Sequence, residues 1–244
     1  EITSLAAKKL AIKDESVLMA STGIIGRPLA IDKIKKGIGG LVKNLSGSNG
    51  TNFAKAIMTT DTVHKEIAVK INIKGKVVKI GGAVKGSGMI CPNMATMLAF
   101  FTTDAAIETK ALKQAFKESV HDSFNKITID GDMSTNDSAI IFANGMAENS
   151  VIKKNTRDYA IFLDAIKFVT KDLSRKIVLD GEGATIFIEI IVKGAEKETA
   201  ARSVARHIAS SSLVKTMIAG GDPNWGRIAA SAGASGVKIN SSRM

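Results

Sequence analysis

Thr96 is the side chain around which chemistry can be built in this sequence. It stands in KGSGMICPNMATMLAFFTTDA, residues 85–105, which opens as a glycine-rich turn, passes one proline and ends as an apolar, strand-like run. A threonine hydroxyl is a weak nucleophile at neutral pH and needs a base beside it. Thr96 has no histidine or carboxylate neighbour in the sequence around it. One economical remedy is to cut the chain just before it, so that the new α-amine serves as base for the hydroxyl of the same residue. With a pKa near ~8, much of such an amine accepts a proton at neutral pH. A threonine in an apolar run is far more often an ordinary strand residue, so the residues alone do not establish the cut.

Other groups invite chemistry and have plain alternatives. The strand-like SVLMA at 16–20 runs into Ser21, Thr22, Gly23 and Gly26, a turn whose backbone N–H groups can point at a ligand or simply close a bend. Thr59, Thr60 and Asp61 end a helical stretch, where threonines cap and turn. GGAVKGSG at 81–88 is no P-loop, because the Gly-Lys-Ser/Thr order is absent, and Lys85 by itself reads as a solvated lysine. DGDMSTND at 130–137 spaces its oxygen side chains like a calcium loop. However, Thr135 stands where an EF-hand needs glycine and Ile141 where it needs glutamate. A polar loop shaping the mouth of a site is expected there instead. Glu182, between Gly181 and Gly183, is on its own a turn residue. Cys91 is the one cysteine, which suits a reducing compartment; His64, His121 and His207 are scattered without metal-ligand spacing, so no metal site is expected.

Composition narrows the class. A chain of 244 residues, 45% hydrophobic and 23% charged, reads as soluble and globular, with one large domain or two small ones. No apolar run approaches the ~20 residues that cross a bilayer, and no basic-then-apolar leader is visible. The net charge of +11 comes mostly from dispersed lysines. With only 5% aromatic residues and no arginine-rich helix, nucleic-acid binding is not expected. The positive field would still draw anionic amino acids or an anionic cofactor.

Periodicity supplies the elements. Helices are expected at 2–10, from 31 to 45, at 51–58, 109–125, 158–176 and 196–211, and after the loop at 220–227. Strands are expected at 16–20, in a hairpin over 66–80 that turns at Lys74-Gly75, and at 97–101, 127–129, 138–143 and 186–192. The last is apolar at nearly every position, which implies deep burial. Trp225 reads as a core anchor. Irregular alternation of helix and strand argues for an α+β layered fold rather than a doubly wound parallel sheet.

The nucleophile run, together with ASTGIIGRPL (20–29), AIMTTDTVHKE (56–66), SFNKITIDGDMSTNDSAIIFANG (123–145), DGEGAT (180–185) and LVKTMIAGGDPNWGRI (213–228), resembles the ornithine acetyltransferase (glutamate N-acetyltransferase) family of arginine biosynthesis, in that family's order. The resemblance implies an α+β sandwich of helices layered on sheets. It implies self-cleavage between Ala95 and Thr96, giving 1–95 as the C-terminal part of an α chain and 96–244 as the N-terminal part of a β chain. Thr96 would be the acyl-accepting nucleophile, and Thr22 and Gly23 the oxyanion hole, worth about 3 kcal/mol per donor. Thr59, Lys85 and Glu182 would bind substrate. Glu182 physically suits an ammonium group such as that of ornithine. The substrates implied are N-acetylornithine and glutamate. No cofactor is implied, although some members also accept acetyl-CoA as co-substrate and no residue here decides that point. The two chains commonly pair into a heterotetramer in the cytoplasm, or in the mitochondrial matrix of fungi. Members carry roughly a hundred further residues before the position of Glu1 and continue beyond Met244, so the chain reads as a fragment lacking those segments.

Two other readings have their own signatures. A self-processed amidase or aminopeptidase of related fold would resolve the acyl-enzyme with water. An inactive basic protein binding anions or nucleic acid would show salt-sensitive binding and no cleavage product.

Overall fold

Alternating apolar and polar residues build the expected hairpin. Strands β1 (Lys65–Ile73) and β2 (Lys76–Lys85) pair antiparallel. Lys74 and Gly75 join them, both with positive φ (50° and 86°), as a tight two-residue turn between twisted strands requires. The structure, a computed structural model, describes residues 1–91 and 97–240. Strand β3 (Leu98–Thr103) adds antiparallel to β2, and β4 (Ser138–Ala143) adds parallel to β3, giving the order β1-β2-β3-β4. The parallel pair needs a crossover, and the intervening chain supplies helix α4 (Thr109–Asp122).

One sheet face is closed by α4 and by the long α5 (Arg157–Leu179). Thr156 caps α5 by accepting the Tyr159 N–H. Phe162, Ile166, Val169, Leu173 and Ile177 recur at helical spacing and are fully buried against Val78, Ile80, Ala99 and Phe101. Phe101 meets Phe116 of α4 edge-on, with ring centroids 5.2 Å apart. Its neighbour Phe100 points to the other face and meets Phe53 of α3 (Gly50–Ala56) at 5.3 Å. Gly82 lies opposite Phe101 in the ladder, and a Cβ there would stand 2.6 Å from the ring. Gly82→Ala is therefore expected to cost about 1–3 kcal/mol through overpacking, read as a lower urea midpoint with unchanged m-value.

Helices α1 (Ile2–Leu10) and α2 (Ile31–Lys43) pack together at the N-terminal end. At the other end α6 (Glu198–Ser210), α7 (Ser212–Ala219) and α8 (Trp225–Gly233) enclose a small core of Val204, Ile208, Val214, Met217 and Ala232. Arg202 and Arg206, on one face of α6, tie this unit to the end of α4 by donating to the carbonyls of His121 (2.8 Å) and of Asn125 just beyond it (2.6 Å).

The α+β layered class stands, with four local corrections. Residues 16–20 form no strand: Asp14–Ser16 is a 3-10 turn, and Leu18 and Met19 are exposed. The stretch 127–129 makes isolated bonds, Ile129 N–H to the Ile90 carbonyl and Ile127 N–H to the Phe124 carbonyl, not a ladder. Residues 186–192 are not a buried strand. No described residue pairs with them, and Ile186 and Ile191 are exposed, although Ile190 and Val192 rest on the small core. Trp225 is no core anchor. It opens α8 at 75% exposure, while that helix turns Ser231 and Ala232 inward at its far end. Helix α7 was not anticipated, because nothing but Ser211 separates it from α6. The Ser211 hydroxyl accepts the Val214 N–H and restarts the helix.

Candidate functional site

Lys85 ends β2 at 2% exposure, with a lysine where the inward pattern calls for an apolar residue. Its Nζ donates to the hydroxyls of Thr59 (3.4 Å) and Thr22 (3.5 Å). Three residues singled out in distant motifs thus meet at one ammonium group. Burial pulls the Lys85 pKa below that of an ordinary lysine; attraction to Asp61 and Asp137 opposes this without cancelling it.

A buried ion cluster sets this meeting. Asp61 accepts the Gly86 N–H (2.7 Å) and the Lys65 ammonium (2.7 Å) through Oδ1, and the Thr59 N–H (3.0 Å) through Oδ2. One carboxylate therefore fixes both Thr59 and the residue after Lys85. Lys65, 1% exposed, also donates to Asp180 (2.5 Å) and to the Val63 carbonyl (3.3 Å). Asp180, just past α5, accepts the Thr62 N–H (3.0 Å) and the Thr62 hydroxyl. Burial raises the carboxyls of Asp61 and Asp180, but their hydrogen bonds to Lys65 and the nearby N–H and hydroxyl donors outweigh it, so both sit below the usual aspartate value. Carboxyls lowered on folding contribute stability above their unfolded pKa and lose it as pH falls through the folded value. Unfolding free energy is expected to drop on acidification below about pH 4, and Asp180→Asn should flatten that drop in urea titrations at successive pH values.

Glu182 adjoins the cluster. Its N–H donates to the Ser87 carbonyl (2.8 Å), and its carboxylate lies over Gly88, where a Cβ would come within 2.6 Å of it. The Ser87 and Thr60 hydroxyls are hydrogen-bonded at 2.8 Å. Gly23 follows Thr22 in an exposed stretch, with nothing within 4 Å of the position a Cβ would take. Ala95 and Thr96 lie outside the described residues.

The oxygen-rich loop at 130–137 reaches this region from the other side. Asp130 accepts the N–H groups of Met89 (2.5 Å) and Ile90 (3.0 Å), and Asp137 accepts that of Met97 (2.6 Å). Among the described residues no group of three or more His, Cys, Asp or Glu could hold a metal ion. A cavity of about 700 Å³ opens between α5, α6 and residues 187–192, but it borders none of Thr22, Gly23, Thr59, Lys85 and Glu182. The geometry, not the hollow, makes the Lys85 cluster the candidate site. Asp61, Asp137 and Asp180 stand in stretches quoted from the sequence but take no part in a site there, and Lys65 is not singled out; the one sign of it is a lysine opening an apolar strand.

A family model described as the ArgJ family matches residues 1–244. The chain belongs to the ArgJ family. Curated ArgJ proteins, each named arginine biosynthesis bifunctional protein, are close relatives. That of Caldanaerobacter subterraneus is 50% identical over 234 residues, 96% of this chain and 58% of the relative. That of Listeria monocytogenes is 52% identical over 230 residues, 94% of this chain and 57% of the relative. The chain therefore spans a little under three fifths of the length of these ArgJ proteins. The crystal structure of the ArgJ protein of Bacillus halodurans superposes with a TM-score of 0.56 at 45% identity, covering 58% of this chain and 66% of that one. The resemblance read from the motifs thus holds at the level of the ArgJ family and its fold.

Proposed function

We propose that this chain carries much of the catalytic machinery of an acetyltransferase of arginine biosynthesis, moving the acetyl group of N-acetylornithine to glutamate through an ester on Thr96. The observation that supports it most is the meeting of Thr22, Thr59 and Lys85, drawn from three of the family's motifs, beside the strand that follows Thr96. In this reading the chain is cut between Ala95 and Thr96, so that 1–95 and 96–244 belong to an α and a β chain that reassociate, as a heterotetramer. Thr96 attacks the acetyl carbonyl, and Thr22 and Gly23 hold the oxyanion. Ornithine leaves, and glutamate takes the acetyl group from the ester.

The Lys85 ammonium, flanked by two hydroxyls, suits a substrate carboxylate or carbonyl oxygen, with Thr59 beside it. Glu182 faces solvent at the edge of the same cluster and suits the ammonium of ornithine. The reaction needs no cofactor, and acetyl-CoA is an optional co-substrate. The partners are small molecules rather than nucleic acid. Among the described residues no helix is long and apolar enough to cross a membrane. The relatives named above are bacterial, which favours the cytoplasm and lends the mitochondrial alternative no support.

Ping-pong chemistry gives the test. With N-acetylornithine alone, the fragment beginning at Thr96 should gain the mass of one acetyl group, and added glutamate should remove it as N-acetylglutamate. Acetate released without any acceptor would replace this reading with that of a hydrolase.

A further inference from the structure

The Lys65 ammonium is fully committed within the protein. A lysine carries three N–H donors, and those of Lys65 meet Asp61 Oδ1 (2.7 Å), the Val63 carbonyl (3.3 Å) and Asp180 Oδ2 (2.5 Å), with the side chain 1% exposed. It is closed to any ligand, so whatever it does is done through Asp61 and Asp180. A triad of buried charges is a poor source of stability in itself, because apolar residues of the same volume commonly do as well or better. Its use lies in what it joins.

It joins the anchors of two opposite charges. On one side, Asp61 accepts the Gly86 N–H (2.7 Å) and the Thr59 N–H (3.0 Å), and so holds the backbone just after Lys85 and the threonine whose hydroxyl meets the Lys85 ammonium. On the other, Asp180 leads into the short turn that carries Glu182, closed by the Ala184 N–H on the Gly181 carbonyl (2.9 Å). The Glu182 N–H reaches the Ser87 carbonyl (2.8 Å), and the Glu182 carboxylate lies over Gly88, on the same run of chain as Lys85. The Lys85 cation and the Glu182 anion are thus borne on one frame with Lys65 at its middle. The Lys85 bonds to Thr59 (3.4 Å) and Thr22 (3.5 Å) are longer than the usual ~2.7–3.2 Å, which leaves that ammonium open to a stronger acceptor such as a carboxylate. Two charges held at a fixed distance favour a molecule whose own opposite charges match that distance.

We propose that Lys65 is a positioning residue that sets, through Asp61 and Asp180, the span between the Lys85 ammonium and the Glu182 carboxylate, and that this span selects acylated amino acids by the length between their carboxylate and their side-chain ammonium. This rests on the reading of Lys85 and Glu182 as the poles that hold N-acetylornithine. A substrate one methylene longer carries its ammonium past Glu182 or lifts its carboxylate off Lys85, so one charge stays without its partner. A loosened frame lets the poles shift to meet it. Lys65 therefore acts on the choice between substrates and not on the chemical step.

The test compares kcat/KM for N-acetylornithine with kcat/KM for lysine acetylated on its α-amine, glutamate being the acceptor, in the whole natural protein. The ratio of two values taken on one sample does not depend on the fraction folded, so a merely structural role leaves it unmoved. The natural protein should favour N-acetylornithine by about 10²-fold, the scale that one methylene can command. Lys65→Met, and the milder Asp180→Asn, which keeps an acceptor for Thr62 and removes the charge that holds Lys65, should each cut that preference to about a tenth through a higher KM for N-acetylornithine. Glu182→Asp draws the anionic pole back by one methylene and should turn the preference toward the lysine derivative. A natural ratio near one overturns the proposal, and so does Glu182→Asp with the natural ratio. If Glu182→Asp shifts the ratio while Asp180→Asn keeps it, the role of Lys65 alone fails. Absence of any transfer from N-acetylornithine in the natural protein removes the proposed function together with this inference.

Discussion

Replacing Thr96 by alanine is expected to leave a single uncut chain and to bring acetyl transfer to background. Both outcomes follow from one missing oxygen. In the proposed mechanism the hydroxyl that attacks the Ala95 carbonyl during the cut is the one that would later attack the acetyl carbonyl of substrate, so no partial route would survive its loss. Removing a covalent nucleophile elsewhere costs catalysis about 10⁴-fold or more. Denatured mass reads the first effect as loss of the pieces 1–95 and 96–244, and a coupled assay for N-acetylglutamate reads the second. Thr96→Ser, which keeps an oxygen in place, should retain part of both. Turnover persisting in the alanine variant would remove Thr96 from the mechanism.

The second large effect concerns stability. Lys65→Met should destabilise the fold by about 3–5 kcal/mol, because it strands two carboxylates, Asp61 and Asp180, that the ammonium now joins in a buried site. Urea unfolding at neutral pH measures it. Adding Asp61→Asn and Asp180→Asn to the same chain should recover much of the loss, since neutral groups tolerate burial far better than unpaired charges. If Lys65→Met alone unfolds at the natural midpoint, the cluster contributes no net stability. Activity should not return with stability in the triple variant, because Asp61 also fixes Thr59 and Gly86 on either side of the Lys85 ammonium.

What could be read in advance divides along physical lines. The hairpin, β4 and α5 were legible because their patterns are local: alternation with a Lys74-Gly75 turn for the first, and apolar residues three and four apart for the last. The meeting of Thr22, Thr59 and Lys85 was anticipated only through the family resemblance, since no local period links residues in three separate motifs. The Lys65 cluster stayed hidden because its partner Asp180 lies 115 residues away, and a lysine at the start of a strand ordinarily points to water. Residues 186–192 and Trp225 misled for the same reason. Apolar composition says that a surface favours cover, and does not say which segment supplies it.

The register of β2 against β3 has a further consequence. Ile80 through Lys85 on one strand pair with Thr103 through Leu98 on the other. A cut before Thr96 would hand these two strands to different polypeptides while leaving the ladder between them closed. Neither product would then own a sheet: one would hold a bare hairpin, marginal in water by itself, and the other a parallel strand pair with α4 and α5 but no β1 or β2. The two would form an obligate pair, each completing the other's interior. Their stability would depend on concentration once denatured, and refolding would become a bimolecular event where the uncut precursor needs only one chain.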